Sequence, residues 1–328
     1  MLPAKQAVAD WSGGGQHTMR GGIVTTPSVL ASSVACAAML LAWPRLTYVQ
    51  SQGAMELAGL YSVHVDVTYQ KAGGWVGKLD VYQPNGTGPS PTVVYFHGGG
   101  WTVPATKESV VLQLVPFLEA GFAVVNVEWR GTDVAEAPAM VEDGRCALRW
   151  VMAHANEYKF DADRIITAGE SNGGYLALMA GMLPVSAGFD RHCPGTPTPK
   201  VAAIVDWYGH VDLAARLGGP ETLSGINMYI GSRSDRVEMA RRVSPVTYVR
   251  PGLPPLFITH GDADEVIPFE QSIALTDALR RSGVDFEFLP VSGGKHGYVH
   301  ALPASAVWPK VFAFLRQRGL APSARTRR

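Results

Sequence analysis

Cysteine is scarce in this chain: Cys36, Cys146 and Cys193 are the three present in 328 residues. That excludes a disulfide-scaffolded fold and a four-thiolate zinc site, and leaves room for one disulfide at most. Spacing alone does not join Cys146 to Cys193, and two buried free thiols are the expected state. Charge is thin as well. Asp, Glu, Lys and Arg make up 17% of the residues, and 28 basic side chains balance 28 acidic ones. A neutral chain offers no strong field to nucleic acid or an acidic membrane, so neither is expected as a partner. The apolar run Val29 to Trp43 covers 15 residues, short of the roughly 20 that a bilayer span requires. Internal repeats are absent, as is the G-x-x-x-x-G-K-[ST] phosphate loop.

Glycine is in excess, at 36 of 328 residues, or about 11% against an average near 7%. Such glycines serve loops in which the backbone must turn tightly or approach a neighbour closely. A hydrophobic content of 47% with 9% aromatics supplies a core and excludes disorder for the bulk of the chain.

The N-terminal end reads differently from the rest. Residues 1–18 have no periodicity and carry Gly13-Gly14-Gly15, which predicts a disordered extension. Met19 and Arg20 then precede the apolar run, Pro44 ends it, and Ser51 and Gly53 are small. That order is expected of a cleaved secretory signal over 19–54, and hence of a secreted or periplasmic protein. The alternative is an N-terminal helix packed on a cytoplasmic domain. Lipid attachment at Cys36 is disfavoured by Ser33, where an aliphatic residue is expected.

From about residue 55 to 320 strand-like and helix-like runs alternate. Ser62 to Thr68 and Gly77 to Tyr82 alternate apolar and polar residues around Gly73 and Gly74, which predicts an antiparallel hairpin. Thr92–Phe96, Ala123–Trp129, Arg164–Ala168, Val201–Trp207, Leu256–His260 and Phe286–Leu289 are near-continuous apolar runs, as a parallel sheet covered on both faces requires. Helices are predicted over Glu108–Glu119, Ala139–Tyr158, Asn172–Leu183, Glu270–Arg281 and Ala304–Arg316. The result is an α/β fold, a mostly parallel twisted sheet with helices on both faces. Residues 209–243 break the rhythm and read as a small cap-like insertion over one edge of the sheet. Residues 321–328 form a basic, frayed tail.

Chemistry concentrates in three glycine-rich loops. Gly169-Glu170-Ser171-Asn172-Gly173 follows a predicted strand and opens a helix, the setting of a nucleophile elbow in which a strained serine projects its hydroxyl. His97-Gly98-Gly99-Gly100-Trp101 also follows a strand, and its N–H groups can converge on a developing oxyanion together with that of Asn172. His296, in Gly293-Gly294-Lys295-His296-Gly297, suits a general base. His300 four residues on invites a metal reading, but H-E-x-x-H needs a glutamate where Gly297 stands. His97 and His260 are expected to be hydrogen-bonded structural residues, and His210 has no supporting context. An orienting acid should fall between nucleophile and base. Asp262, Asp264 and Glu265 compete for that place, with Asp262 suited to capping its turn.

These loops, with Ala123-Val-Val-Asn-Val-Glu-Trp-Arg130, Phe160-Asp-Ala-Asp-Arg-Ile165 and Pro254-Pro-Leu-Phe-Ile-Thr-His-Gly-Asp-Ala-Asp264, resemble the carboxylesterase branch of the α/β-hydrolases. The resemblance spans about Leu79 to Leu320 and is strongest to the bifunctional feruloyl and acetylxylan esterase group, near the hormone-sensitive-lipase type. It implies a serine carboxylesterase with Ser171 as nucleophile, Asp264 as acid, His296 as base, and Gly99, Gly100 and Asn172 as oxyanion donors. Short-chain or aryl esters, of acetyl or feruloyl type, are the implied small-molecule substrates, and no metal or cofactor is implied. Asn172 departs from the alanine usual there. Trp129-Arg130-Gly131 departs from a Tyr-Arg pair with a proline-rich loop. Trp101, Trp129 and Tyr175, each beside one of the reactive loops, are expected to line the substrate pocket. Two other readings remain: an amide-cleaving relative, arylformamidase or peptidase, and a binding module that has lost activity.

Overall fold

Eight strands form one sheet in the order β1-β2-β4-β3-β5-β6-β7-β8. The computed structural model describes residues 59–102, 106–193, 198–218, 224–298 and 307–322. The expected signal segment, the 1–18 extension, His300 and most of the basic tail lie outside them. The hairpin predicted near the start is present, as β1 (Tyr61–Ala72) and β2 (Trp75–Pro84) pair antiparallel. β2 also runs antiparallel to β4 (Ala123–Val127). β3 (Ser90–Phe96), β5 (Phe160–Glu170), β6 (Ala203–Trp207), β7 (Leu256–Gly261) and β8 (Phe286–Val291) run parallel with β4.

The central strands are apolar on both sides because both sides are covered. Along β3, Val94 and Phe96 enter one core while Val93 and Tyr95 enter the other. The first core is closed by α2 (Ala139–Ala153), α3 (Asn172–Met182) and α6 (Glu270–Arg281), through residues such as Met140, Leu176 and Leu275. The second is closed by α1 (Val111–Glu119) and α7 (Trp308–Gln317), through Leu114, Phe117, Trp308 and Phe314. Helix α1 is shorter than predicted because its first turn, Lys107–Val110, is wound as a 3-10 helix. There the buried Lys107 ammonium is held by Asp66 and Asp80.

One expectation is corrected and one is made specific. Cys146 and Cys193 are not free thiols: they form a disulfide with Cα atoms 4.8 Å apart. It ties α2 to the segment after α3, where Asp190 also receives Arg145 at 3.1 Å. The 209–243 insertion contains α4 (Ser224–Ile230) and α5 (Arg236–Arg242), and the edge it meets is the one at the carboxyl ends of the strands, not an outer strand. Tyr229 of α4 stacks on Trp101, just past β3, at 4.9 Å between ring centroids. The Ala137 N–H donates to the Tyr229 carbonyl. The insertion is thus held above the carboxyl ends of the central strands, because aromatic rings on both sides bury one another there.

Candidate active site

Parallel strands deliver their following loops to one edge of the sheet, and in α/β sheets that edge is where ligands bind. Here the loops after β3, β5, β6, β7 and β8 meet around a cavity of about 470 Å³, lined by Gly98, Gly99, Gly100, Trp101, Ser171, Asn172, Tyr208, His210 and His296 among others.

Ser171 stands between β5 and α3 with φ 54° and ψ −121°, a conformation costly for any residue with a Cβ. The turn is tight enough that a Cβ at Gly173 would fall inside the Phe96 carbonyl oxygen, and one at Gly169 inside the Gly173 carbonyl. The Ser171 N–H donates to the Trp207 carbonyl at 2.9 Å, which anchors the strained residue to the end of β6. Its hydroxyl lies 3.0 Å from His296 Nε2, and His296 Nδ1 lies 2.8 Å from Asp264 Oδ2. With Nδ1–H donating to the carboxylate, Nε2 is left as the acceptor for the serine proton.

Asp264 is fixed from several directions. Its Oδ1 accepts the Val266 and Ile267 N–H groups at 2.8 and 2.9 Å. The Nε2 of buried His260 donates to the Ile267 carbonyl at 2.9 Å and lies 3.3 Å from Asp264 Oδ2. Burial alone would raise this carboxyl, but hydrogen bonds from His260, His296 and the Ile267 N–H outweigh it and hold it well below the usual carboxylate range. The competing acids are occupied elsewhere. Asp262 accepts the Gly293 N–H at 2.6 Å, and exposed Glu265 faces Lys295 at 3.6 Å. Acid loop and base loop are pressed together, since a Cβ at Gly261 would overlap the Gly294 carbonyl.

The glycine loop after β3 is braced by its neighbours. Gly99 has φ 152°, open to glycine and strained for other residues. The Asn172 side chain donates to the Gly99 carbonyl at 2.9 Å, a contact that alanine at that position could not make. His97 is buried, donates through Nδ1 to the Gly98 carbonyl and stacks on Trp129 at 4.9 Å.

Of the three aromatics expected in the pocket, Trp101 lines the cavity. Trp129 and Tyr175 do not: they are 1% and 0% exposed. Trp129 supports the glycine loop from behind through His97, while Tyr175 packs behind Trp101 with ring centroids 5.9 Å apart. Tyr208 and His210 are among the wall residues not anticipated. Tyr208 follows β6 with φ 44°, donates its hydroxyl to Glu170 at 2.6 Å and meets the His296 ring edge-on at 4.9 Å. His210 lies two residues further on. The signal available in the sequence was their place immediately after a central strand.

Strand order, two-sided helical cover and a serine turn after β5 define an α/β-hydrolase fold. The BD-FAE family model matches residues 79–279, and the chain belongs to that family. It is 28% identical over 219 residues to the esterase LipQ of Mycobacterium tuberculosis, a match that covers 64% of this chain and 51% of LipQ. The chain spans about half the length of the curated relatives it matches first. Among solved structures, a propionate-bound esterase from Thermogutta terrifontis superposes with TM-score 0.67 at 26% identity, over 80% of this chain and 97% of that one. A truncated carbohydrate esterase from gut microbiota superposes with TM-score 0.66 at 27% identity, over 79% and 97%.

Proposed function

We propose that this protein is a serine carboxylesterase that cleaves short-chain or aryl esters through an acyl-enzyme. The observation that carries the reading is the hydrogen-bonded chain from Ser171 through His296 to Asp264, at 3.0 and 2.8 Å. In the first half-reaction His296 Nε2 takes the hydroxyl proton as Ser171 Oγ bonds to the ester carbonyl carbon. The carbonyl oxygen becomes an anion within reach of the N–H groups of Gly99, Gly100 and Asn172. Collapse breaks the bond to the alcohol oxygen, which leaves with the proton from His296. In the second half-reaction water attacks the acyl carbon, gives its proton to His296, and the carboxylic acid departs as Ser171 regains its proton. Asp264 holds the productive imidazole tautomer and stabilises the imidazolium throughout.

A preference for small acyl groups is supported by the glycine-broken insertion above the cavity and by the propionate held in the Thermogutta esterase. An extracytoplasmic location is supported by the Cys146–Cys193 disulfide, which persists in oxidising compartments, together with the signal-like pattern over 19–54. Nitrophenyl esters of rising chain length, with methyl ferulate and anilide counterparts, test the reading. Acetyl to butyryl or aryl esters are expected to turn over fastest, and Ser171→Ala to lower kcat by about 10⁴-fold or more. Faster cleavage of C12 esters than of C4 overturns the chain-length preference, and faster cleavage of anilides than of esters would establish the amide-cleaving alternative.

A further inference from the structure

His210 is 5% exposed, yet it belongs to the cavity wall beside His296 and Val266. Trp101 covers one side of its ring, with centroids 5.1 Å apart. Its Nδ1 lies 3.0 Å from Arg216 NH1. A guanidinium only donates, so Nδ1 accepts and the proton of the neutral ring sits on Nε2. Burial, reinforced by the Arg216 charge, pushes the imidazole well below its ordinary pKa, so the ring stays in this neutral form.

Arg216 is itself buried and anchored, its NH2 donating to the Val266 carbonyl at 3.3 Å. Among the described residues it forms no ion pair. Its charge, which also reaches Asp264, acts on the imidazole by fixing the tautomer and polarising Nε2–H, the polar group of the ring left for the cavity. The side of the cavity matters for chemistry. A proton returned by His296 must reach the departing alcohol oxygen, so the alcohol half of a bound ester lies toward His296. His210 lines the same cavity as His296 and lies close enough to feel the charges of His296 and Asp264.

We propose that His210 is a substrate-recognition residue whose Nε2–H donates to an oxygen on the alcohol half of the ester, so that the pocket selects alcohols bearing a hydroxyl or ether oxygen over plain alkyl ones. Arg216 is its positioning residue. This assignment rests on the ester-hydrolase reading above and adds to it the group that chooses the alcohol.

The test compares kcat/KM for 2-hydroxyethyl acetate and propyl acetate, which differ by a hydroxyl in place of a methyl. Dividing the wild-type ratio by that of His210→Phe cancels the intrinsic reactivity of the two esters. The quotient is expected to be about 10, the size of one well-made hydrogen bond, and His210→Gln, which keeps an N–H donor, is expected to recover most of the preference. Arg216→Met frees Nδ1 and carries the same expectation, so it decides the matter if His210→Phe does not fold. A quotient near 1 with both esters turned over overturns the proposal while leaving the esterase reading intact. A second pair, methyl glycolate and methyl propanoate, puts the hydroxyl on the acyl half, and a His210 effect confined to that pair overturns the placement. Failure of the wild-type enzyme to cleave any of these esters would instead bring down the esterase reading, and this inference with it.

Discussion

Asp264 sits in the loop after β7, where it accepts His296 Nδ1–H and two backbone N–H groups and lies 3.3 Å from His260 Nε2, whereas Asp262 accepts the Gly293 N–H of the neighbouring turn. Removing the charge at the two positions should therefore differ in kind. Asp264→Asn is expected to lower kcat by about 10⁴, as loss of the orienting carboxylate does in serine hydrolases. Asp262→Asn should act on stability and leave kcat within a few-fold. A crippled Asp262→Asn beside an active Asp264→Asn would exchange their roles. A different carboxyl adds a dependence of stability on pH. Asp206 is fully buried beneath the serine turn, its Oδ1 accepts the Gly209 N–H at 3.0 Å, and burial pushes it up to about 7 against the pull of His260 and that N–H. Raised above its unfolded value, it contributes stability that is full below about pH 4 and is lost as pH rises through 7. The melting temperature of the wild type relative to Asp206→Asn is expected to rise as pH falls from about 8 to about 5. A flat difference across that window contradicts the assignment.

At the scale of elements, the strands were legible because burial on both faces writes near-continuous apolar runs into the sequence, as in Val93–Phe96 and, with Asp206 as its one polar residue, Ala203–Trp207. The nucleophile turn was legible because Gly169 and Gly173 occupy positions where a Cβ would meet backbone. The wall residues Tyr208 and His210 were not legible for the converse reason. Tyr208 and His210 owe their roles to partners 38 and 6 residues away, Glu170 and Arg216, and no local pattern records such a meeting. The pocket expectation for Trp129 and Tyr175 failed similarly, since adjacency to a reactive loop does not say which side of the loop a ring takes. The Cys146–Cys193 bond also depends on tertiary placement, here of α2 against the segment after α3. It closes a separation of 47 residues, which chain entropy values at on the order of 4 kcal/mol. Replacing both cysteines by serine is expected to lower the melting temperature by roughly 10 °C with the Ser171 site still active. Reduction with no change in melting would contradict the structural role given to the bond.

At the scale of the molecule, the fold places five loops at one edge of the sheet and packs them by close backbone approaches, so the reacting groups are positioned without flexible side chains bridging long gaps. Helices from two cores cover the sheet on both faces, and the aromatic stack of Trp101 and Tyr229 ties the insertion to that edge. The central claim is that this edge makes Ser171 a nucleophile. Reaction with a fluorophosphonate, followed by intact mass and peptide mapping, tests it most directly. The account predicts one adduct per chain, on Ser171, forming in step with the loss of ester hydrolysis and absent from Ser171→Ala. Loss of activity with the adduct on another residue, or full activity with Ser171 modified, would contradict it.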